Sequence, residues 1–347
     1  MNTRKNAGRL SGLVYLGVIA TVLLLMFLLW VPPPVSAHTI QRAQGKTSDT
    51  LSRRFVAHSV KWWEQFTDDF LMWSNRPGTR RGKVNINRLG MRGPEYPLSP
   101  ARNTYRIALL GSSMTLGLGV PFEQTFASIV EQRLNREAPG VPRRRYEILN
   151  FSVGAYSTLQ QVGVMDRKVL AVRPDVVLVG VFSVETGRMT DYLSQLVKTG
   201  YPIPYPYVEQ AIRRTGATAS MERPEFIRRL SPISEEIVKW SYQHLADVGR
   251  KHGFKVVGVV LPEPRPRPRG RAYGDIDVAA RLAASAGLPL LDLRGMYDGE
   301  NVDSLRLGGE SGANPHWNAR GHRLAADKFF SVLRANDART LQLGFRN

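Results

Sequence analysis

Cysteine is absent from this sequence, so it forms neither a disulfide nor a thiolate metal site. That absence does not by itself fix a compartment. No Gly-x-Ser-x-Gly elbow is present, which makes an α/β-hydrolase of the ordinary lipase kind a poor fit. Gly117 and Gly119 lack both the third glycine of a dinucleotide fingerprint and the lysine of a phosphate loop. His316 and His322 stand six apart, not four, with no carboxylate beside them, so neither a metal nor a cofactor is expected. No internal repeat is visible. Acid is scarce: 29 Asp and Glu face 48 Lys and Arg, a net charge of +19. That balance favours an anionic neighbour such as phospholipid head groups, acidic glycan or nucleic acid. Nucleic acid is disfavoured, because no recognition module appears.

What is present is long enough, at 347 residues, for one large or two modest domains. A hydrophobic content of 43% with 22% charge is that of a globular chain. Arg4, Lys5 and Arg9 precede an apolar run, Leu13–Val31, close to the thickness of a bilayer core at about 1.5 Å per residue. The flanking charges predict a cytoplasmic N-terminus with the bulk of the chain across the membrane. Val35-Ser36-Ala37 also resembles a signal-peptidase site. The segment is therefore an N-terminal transmembrane anchor, which its length favours, or a cleaved signal. The rest lies outside the cytoplasm in both cases, at the periplasm or cell surface if anchored and secreted if cut.

Three parts follow: an anchor or signal over 1–36, a juxtamembrane linker, helix and leader over 37–102, and a main domain over 103–340. Aromatics from Phe55 to Trp73, at spacings of mostly three, four and seven, predict a helix over Leu51–Trp73. Five apolar runs read as strands: Arg106–Leu110, Tyr146–Asn150, Asp175–Val181, Lys255–Leu261 and Leu288–Leu293. The third is Val/Leu-rich without alternation, as a central parallel strand should be. Helical patterns lie between them, including Glu123–Arg136 and Glu235–Lys251, the latter placed after a Ser231-Pro232 start. This alternation predicts an α/β fold, a three-layer α/β/α sandwich on a parallel sheet. Gly187–Leu230, with its piece Tyr201-Pro202-Ile203-Pro204-Tyr205-Pro206-Tyr207, reads as an excursion over the top edge of the sheet. Pro262–Arg271 alternates proline with arginine and reads as a loop: solvated, or a contact for an anionic polymer or lipid surface.

Two segments 200 residues apart carry the chemistry. Gly111-Ser112-Ser113-Met114-Thr115 follows the first strand, where an open α/β sheet binds its ligands. Asn314-Pro315-His316-Trp317-Asn318 precedes the last helix, with Asn318 a fitting N-cap. A serine hydroxyl needs a base, and imidazole near neutral pH suits that task. His322 reads as a packing or hydrogen-bonding residue at the start of that helix.

On these blocks, with Asn150-Phe151-Ser152-Val153-Gly154, Pro174-Asp175 and the leader Asn87–Gly93, the chain resembles the SGNH hydrolases, or GDSL-type esterases, of the membrane-anchored bacterial kind. The resemblance runs from about residue 87 to the C-terminal helix. It implies a flavodoxin-like sandwich, Ser113 as nucleophile, His316 as base, and the backbone N–H groups of Ser113 and Gly154 as oxyanion donors. It implies an extracytoplasmic ester hydrolase or acyltransferase acting on an acyl ester, of a polysaccharide or lipid of the cell envelope. Three positions depart from the pattern. Ser112 replaces the usual Asp of the first block. Val184, in Ser183-Val184-Glu185, replaces an Asn whose side chain donates to the oxyanion. Asn314 and Ala313 stand where an Asp orients the histidine, which leaves Asn314 to hold the ring, or Asp292, Asp298 or Asp303 to substitute. The alternative these departures raise is a non-catalytic relative acting as a glycan-binding or assembly module. A third reading is a basic membrane-surface protein acting through its Arg-rich loops.

Overall fold

The computed structural model describes residues 63–65, 69–139, 144–264, 275–308, 314 and 316–345. The Leu13–Val31 run and most of the Pro/Arg-rich loop lie outside them. Among the described residues no helix is long and apolar enough to cross a membrane.

Five strands form the central sheet: β1 (Thr104–Leu110), β2 (Arg145–Asn150), β3 (Val176–Val181), β4 (Lys255–Val260) and β5 (Leu290–Asp292). Every pairing is parallel, in the order β2-β1-β3-β4-β5. The strands are continuous Val/Ile/Leu runs because helices cover both faces. Side chains still alternate: Ile107 and Leu109 enter one core, Ala108 and Leu110 the other.

The helices are α1 (Phe126–Glu137), α2 (Thr158–Val164), α3 (Glu185–Thr199), α4 (Pro206–Arg214), α5 (Arg223–His252), α6 (Ile276–Ser285) and α7 (Ala319–Asn336). Helices α1 and α7 share one core, with Phe126 edge-on to Phe329 at 5.5 Å. Residues of α2, α5 and α6 build the other. Local chemistry starts several of them. Thr125 caps α1, Ser157 and Gln160 form a capping box on α2, and Asn318 Oδ1 accepts the Gly321 N–H at 3.1 Å to start α7.

The chain steps from β1 to β2 on one side, then crosses back to β3 on the other. That reversal is a topological switch point, with its crevice outside the carboxyl ends of β1 and β3.

Two expectations are corrected. Residues 63–65 and 69–73 are not helical: Trp63–Gln65 pairs antiparallel with Trp73–Asn75, and the chain turns where Asp69 Oδ1 accepts the Leu71 N–H at 2.8 Å. Aromatic residues suit a strand as well as a helix, and the turn decides. Residues 51–62 and 66–68 lie outside the described part. Second, α5 starts not after Pro232 but at Arg223, and runs 30 residues with Pro232 inside. A proline there forfeits one backbone bond. Packing on α3 offsets it: Phe226 and Leu230 are buried, Lys198 Nζ lies 5.2 Å over the Phe226 ring, and Thr190 bonds Ser234 at 2.7 Å.

Helix α5 is about 45 Å long against about 20 Å for a six-residue strand. Its end packs by Gly249 on Val256 at the start of β4, so its first half stands past the carboxyl edge of the sheet. The Tyr/Pro-rich piece folds back there. Tyr205 is buried with its ring 5.4 Å from Phe70 and from Trp240, while Tyr207 stacks on Trp240 and stays exposed.

Candidate active site

Ser113 opens a single helical turn, Ser113–Leu116, directly past β1. As its first residue, Ser113 has no acceptor within the turn for its N–H. The turn is tight. A Cβ on Gly111 would meet Thr115 Oγ1 at 2.2 Å, and Gly117 closes the turn at φ +75°. Ser112 Oγ is buried without a partner among the described residues, so this serine does not replace an aspartate as the support of the turn. Thr115 and the end of β2 do that instead. Thr115 Oγ1 donates to Ser112 O at 3.0 Å and accepts from Ser152 Oγ at 2.8 Å, and Asn150 Nδ2 donates to Thr115 O at 2.8 Å.

Gly154 follows β2 in the segment that Val153 N ties to Gly111 O at 3.3 Å. Its own N–H makes no hydrogen bond among the described residues. A Cβ there would meet nothing within 4 Å. The glycine therefore answers no packing demand of the fold, and leaves room beside its N–H.

His316 reaches the same edge through a different set of bonds. Helix α7 runs alongside α1 in the same direction: the Phe126 N–H donates to His322 Nδ1 at 3.1 Å near one end, and Arg334 pairs with Glu137 at 3.3 Å at the other. Since α1 starts at the carboxyl edge, so does α7, and His316 stands just before it. The His316 carbonyl accepts the Leu307 N–H at 2.9 Å, and the Leu307 side chain packs on Gly119, two residues past the Ser113 turn. Trp317 Nε1 donates to Tyr297 OH at 2.6 Å, which donates to Pro262 O at 2.8 Å beyond β4. Ser113, Gly154 and His316 thus share one rim.

The imidazole is oriented by Asn314. Its Oδ1 lies 3.1 Å from the His316 backbone N–H and 2.5 Å from ring Nδ1. The backbone N–H is an obligatory donor, so the amide must present its oxygen. Ring Nδ1 must then donate as well, which leaves Nε2 with the lone pair. Ala313 lies outside the described residues. Asp292 pairs with Arg294 and Asp303 with Arg306, so neither is the group at this ring. His322, fully buried, is held neutral: burial first, then His316 and Arg92, push it down to about 3. Its role is structural, as expected.

Two further positions complete the rim. Val184 follows β3 and is buried in the apolar core, with no donor to offer. Glu185 begins α3 and is fully buried, accepts from Thr158 Oγ1, and is pushed up to about 7 by burial. Its Oε1 has no hydrogen-bond partner among the described residues. No cluster of three or more metal-ligating side chains occurs among the described residues. A cavity of about 490 Å³ opens past β3 and β4, beside Thr186, Glu235, Asp275 and Arg281, with neither a serine nor a histidine in its lining.

The leader supplies contacts that local patterning does not announce. Trp73 Nε1 donates to Gly154 O at 3.0 Å and Asn75 Nδ2 to Ser152 O at 3.0 Å. The Arg92 guanidinium is buried, donates to Val120 O at 2.8 Å, and is lowered by burial to about 10.

No family model and no curated protein sequence matches the chain. Solved structures do. An α/β hydrolase from the metagenome of Lake Arreo, Spain, is 14% identical over 66% of this chain and 94% of its own, with a TM-score of 0.44. An acetyl xylan esterase is 19% identical over 66% and 99%, with a TM-score of 0.42. A lipase/acylhydrolase from Enterococcus faecalis is 17% identical over 68% and 96%, with a TM-score of 0.40.

Proposed function

We propose that the chain is a serine esterase or acyltransferase of the SGNH type that uses Ser113 and His316 without metal or cofactor. The observation that carries this reading is the Asn314–His316 bond, on the rim where Ser113 leaves β1. It leaves Nε2 as the base. In the reaction, Ser113 Oγ attacks the ester carbonyl and its proton passes to His316 Nε2. The Ser113 and Gly154 N–H groups hold the developing oxyanion. The alcohol leaves with the proton from Nε2, and water or an acceptor hydroxyl then releases the acyl group from Ser113. Asn314 fixes the tautomer but adds no charge to stabilise imidazolium, so this step is slower than in a Ser-His-Asp site. The net charge and the Leu13–Val31 run favour an acyl ester of envelope polysaccharide or lipid, with the domain outside the cytoplasm on an anchor or freed from a signal.

Reaction of the purified protein with a fluorophosphonate probe tests this. Labelling at Ser113 that disappears in Ser113→Ala is expected; a native protein that never reacts sinks the reading. The burial of Val184 favours one second reading, a catalytically silent binding module. That module would bind envelope glycan equally well before and after Ser113→Ala, with no ester hydrolysis to lose.

A further inference from the structure

Trp73-Ser74-Asn75 is a strand, so its first and third side chains point to one side and the middle one to the other. Ser74 meets Lys168 Nζ at 3.2 Å. Trp73 and Asn75 meet the loop after β2, and what they bind there is specific. Asn75 Nδ2 bridges Gly90 O at 3.1 Å and Ser152 O at 3.0 Å; Trp73 Nε1 donates to Gly154 O at 3.0 Å. The two carbonyls so held flank the Val153–Gly154 peptide, whose N–H is the oxyanion donor of the reading above. The peptide's other ties are long: its own carbonyl, Val153 O, accepts the Tyr156 N–H at 3.4 Å, and the Val153 N–H donates to Gly111 O at 3.3 Å. No neighbour would touch a Cβ on Gly154, and the next residue, Ala155, sits at φ +63°, a left-handed conformation that an alanine leaves when it is free to. Trp73 is itself held from behind: Tyr156 OH donates to its carbonyl, and the Tyr156 ring meets it edge-on at 5.6 Å.

We propose that Trp73 and Asn75 are positioning residues that hold the Gly154 N–H in its donating orientation from outside the sheet. They act through the two flanking carbonyls and touch no substrate. The inference rests on Gly154 serving the oxyanion, and it makes the leader, which carries none of the reacting groups, part of the transition-state machinery.

Trp73→Phe removes the N–H and keeps a ring against Tyr156. Kinetics on a short-chain p-nitrophenyl ester should show kcat down 10- to 100-fold with KM within twofold, because a donor lost only in the transition state leaves ground-state binding intact. Deuterium exchange should rise in residues 151–156 and stay unchanged in peptides of α1 and α7, with the melting temperature shifted by a few degrees at most. Unchanged exchange over 151–156 overturns the proposal, as does unchanged kcat or an equal change in kcat and KM. Asn75→Leu gives the same test from the other carbonyl if the tryptophan variant does not fold. A native protein that neither hydrolyses the ester nor takes the fluorophosphonate sinks the Ser113 reading instead, and exchange alone then decides whether Trp73 holds this peptide.

Discussion

The two halves of the carboxyl rim are built differently. Past β1 and β2, Ser112 Oγ aside, the buried polar side chains form a network: Asn150, Ser152 and Thr115 bond one another and the Ser113 turn, and the leader pins the carbonyls around Gly154. Past β3 the reverse holds. Val184 sinks into the apolar core, and Glu185 is buried with one oxygen lacking a partner among the described residues. The first half is rigid and polar toward the rim. The second offers hydrophobic packing, and keeps a carboxyl where water cannot reach it. The proposed serine centre would thus be supported from one side, by backbone donors and a neutral orienting amide.

The sharpest way to break that comparison is to remove the base. His316→Ala should lower ester hydrolysis by about 10⁴-fold, read as kcat/KM, with only a small change in stability, because the ring adds little to either core. Residual activity within tenfold of the native protein would mean that the polar half works without its imidazole.

The second test addresses the other half. Glu185 holds its proton more tightly when folded, with its pKa raised from 4.5 to about 7 by burial. Its contribution to stability is therefore full below about pH 4.5 and is lost as pH rises to about 7. Glu185→Gln keeps an acceptor for Thr158 and should flatten this loss. By pH 8 it should gain on the order of 3 kcal/mol over the native protein, relative to their difference at pH 4. Parallel urea melts at both pH values check it, and parallel curves for the two proteins would show that the carboxyl ionises freely.

Gly154→Ala comes next. Its Cβ enters open space at an ordinary φ, so the melting temperature should stay within a few degrees, while kcat/KM falls by about 10²-fold as the methyl takes the room beside the N–H. A loss of stability without loss of activity would make this glycine structural. The smallest effect expected is a gain. Asn314→Asp supplies the missing charge behind the ring and should raise kcat by about tenfold near neutral pH, well short of the full factor associated with that charge elsewhere, because the tautomer is already correct. A fall in kcat would show that the neutral amide suits this site better.

Much of the architecture was legible in the residues themselves. The five strands announce themselves as short β-branched runs between turn residues, and Asn318 announces α7. Pro232 misled, because a breaker's cost is local while the contacts that outweigh it come from α3, some 35 to 45 residues away in the chain. The aromatic spacing before Trp73 misled because three- and four-residue gaps cannot distinguish a helix face from two short strands and a turn. Ser113, Gly154 and His316 stand in recognisable blocks of the sequence, and the structure puts them at the carboxyl edge. The bonds from Trp73 and Asn75 were not legible, since they span 81 and 77 residues and neither side chain stands in a pattern. The charge state of Glu185 was equally hidden, because it depends on which helices close over it.

Helix α7 carries a consequence for how the protein comes into being. Its inward residues Phe329, Phe330 and Leu333 complete the layer that α1 begins, and the histidine stands a few residues ahead of it. A ribosome therefore delivers the last piece of that core and the proposed base almost together. If His316 is that base, unfinished chains carry the Ser113 hydroxyl with nothing to deprotonate it, and fragments released early would be inert.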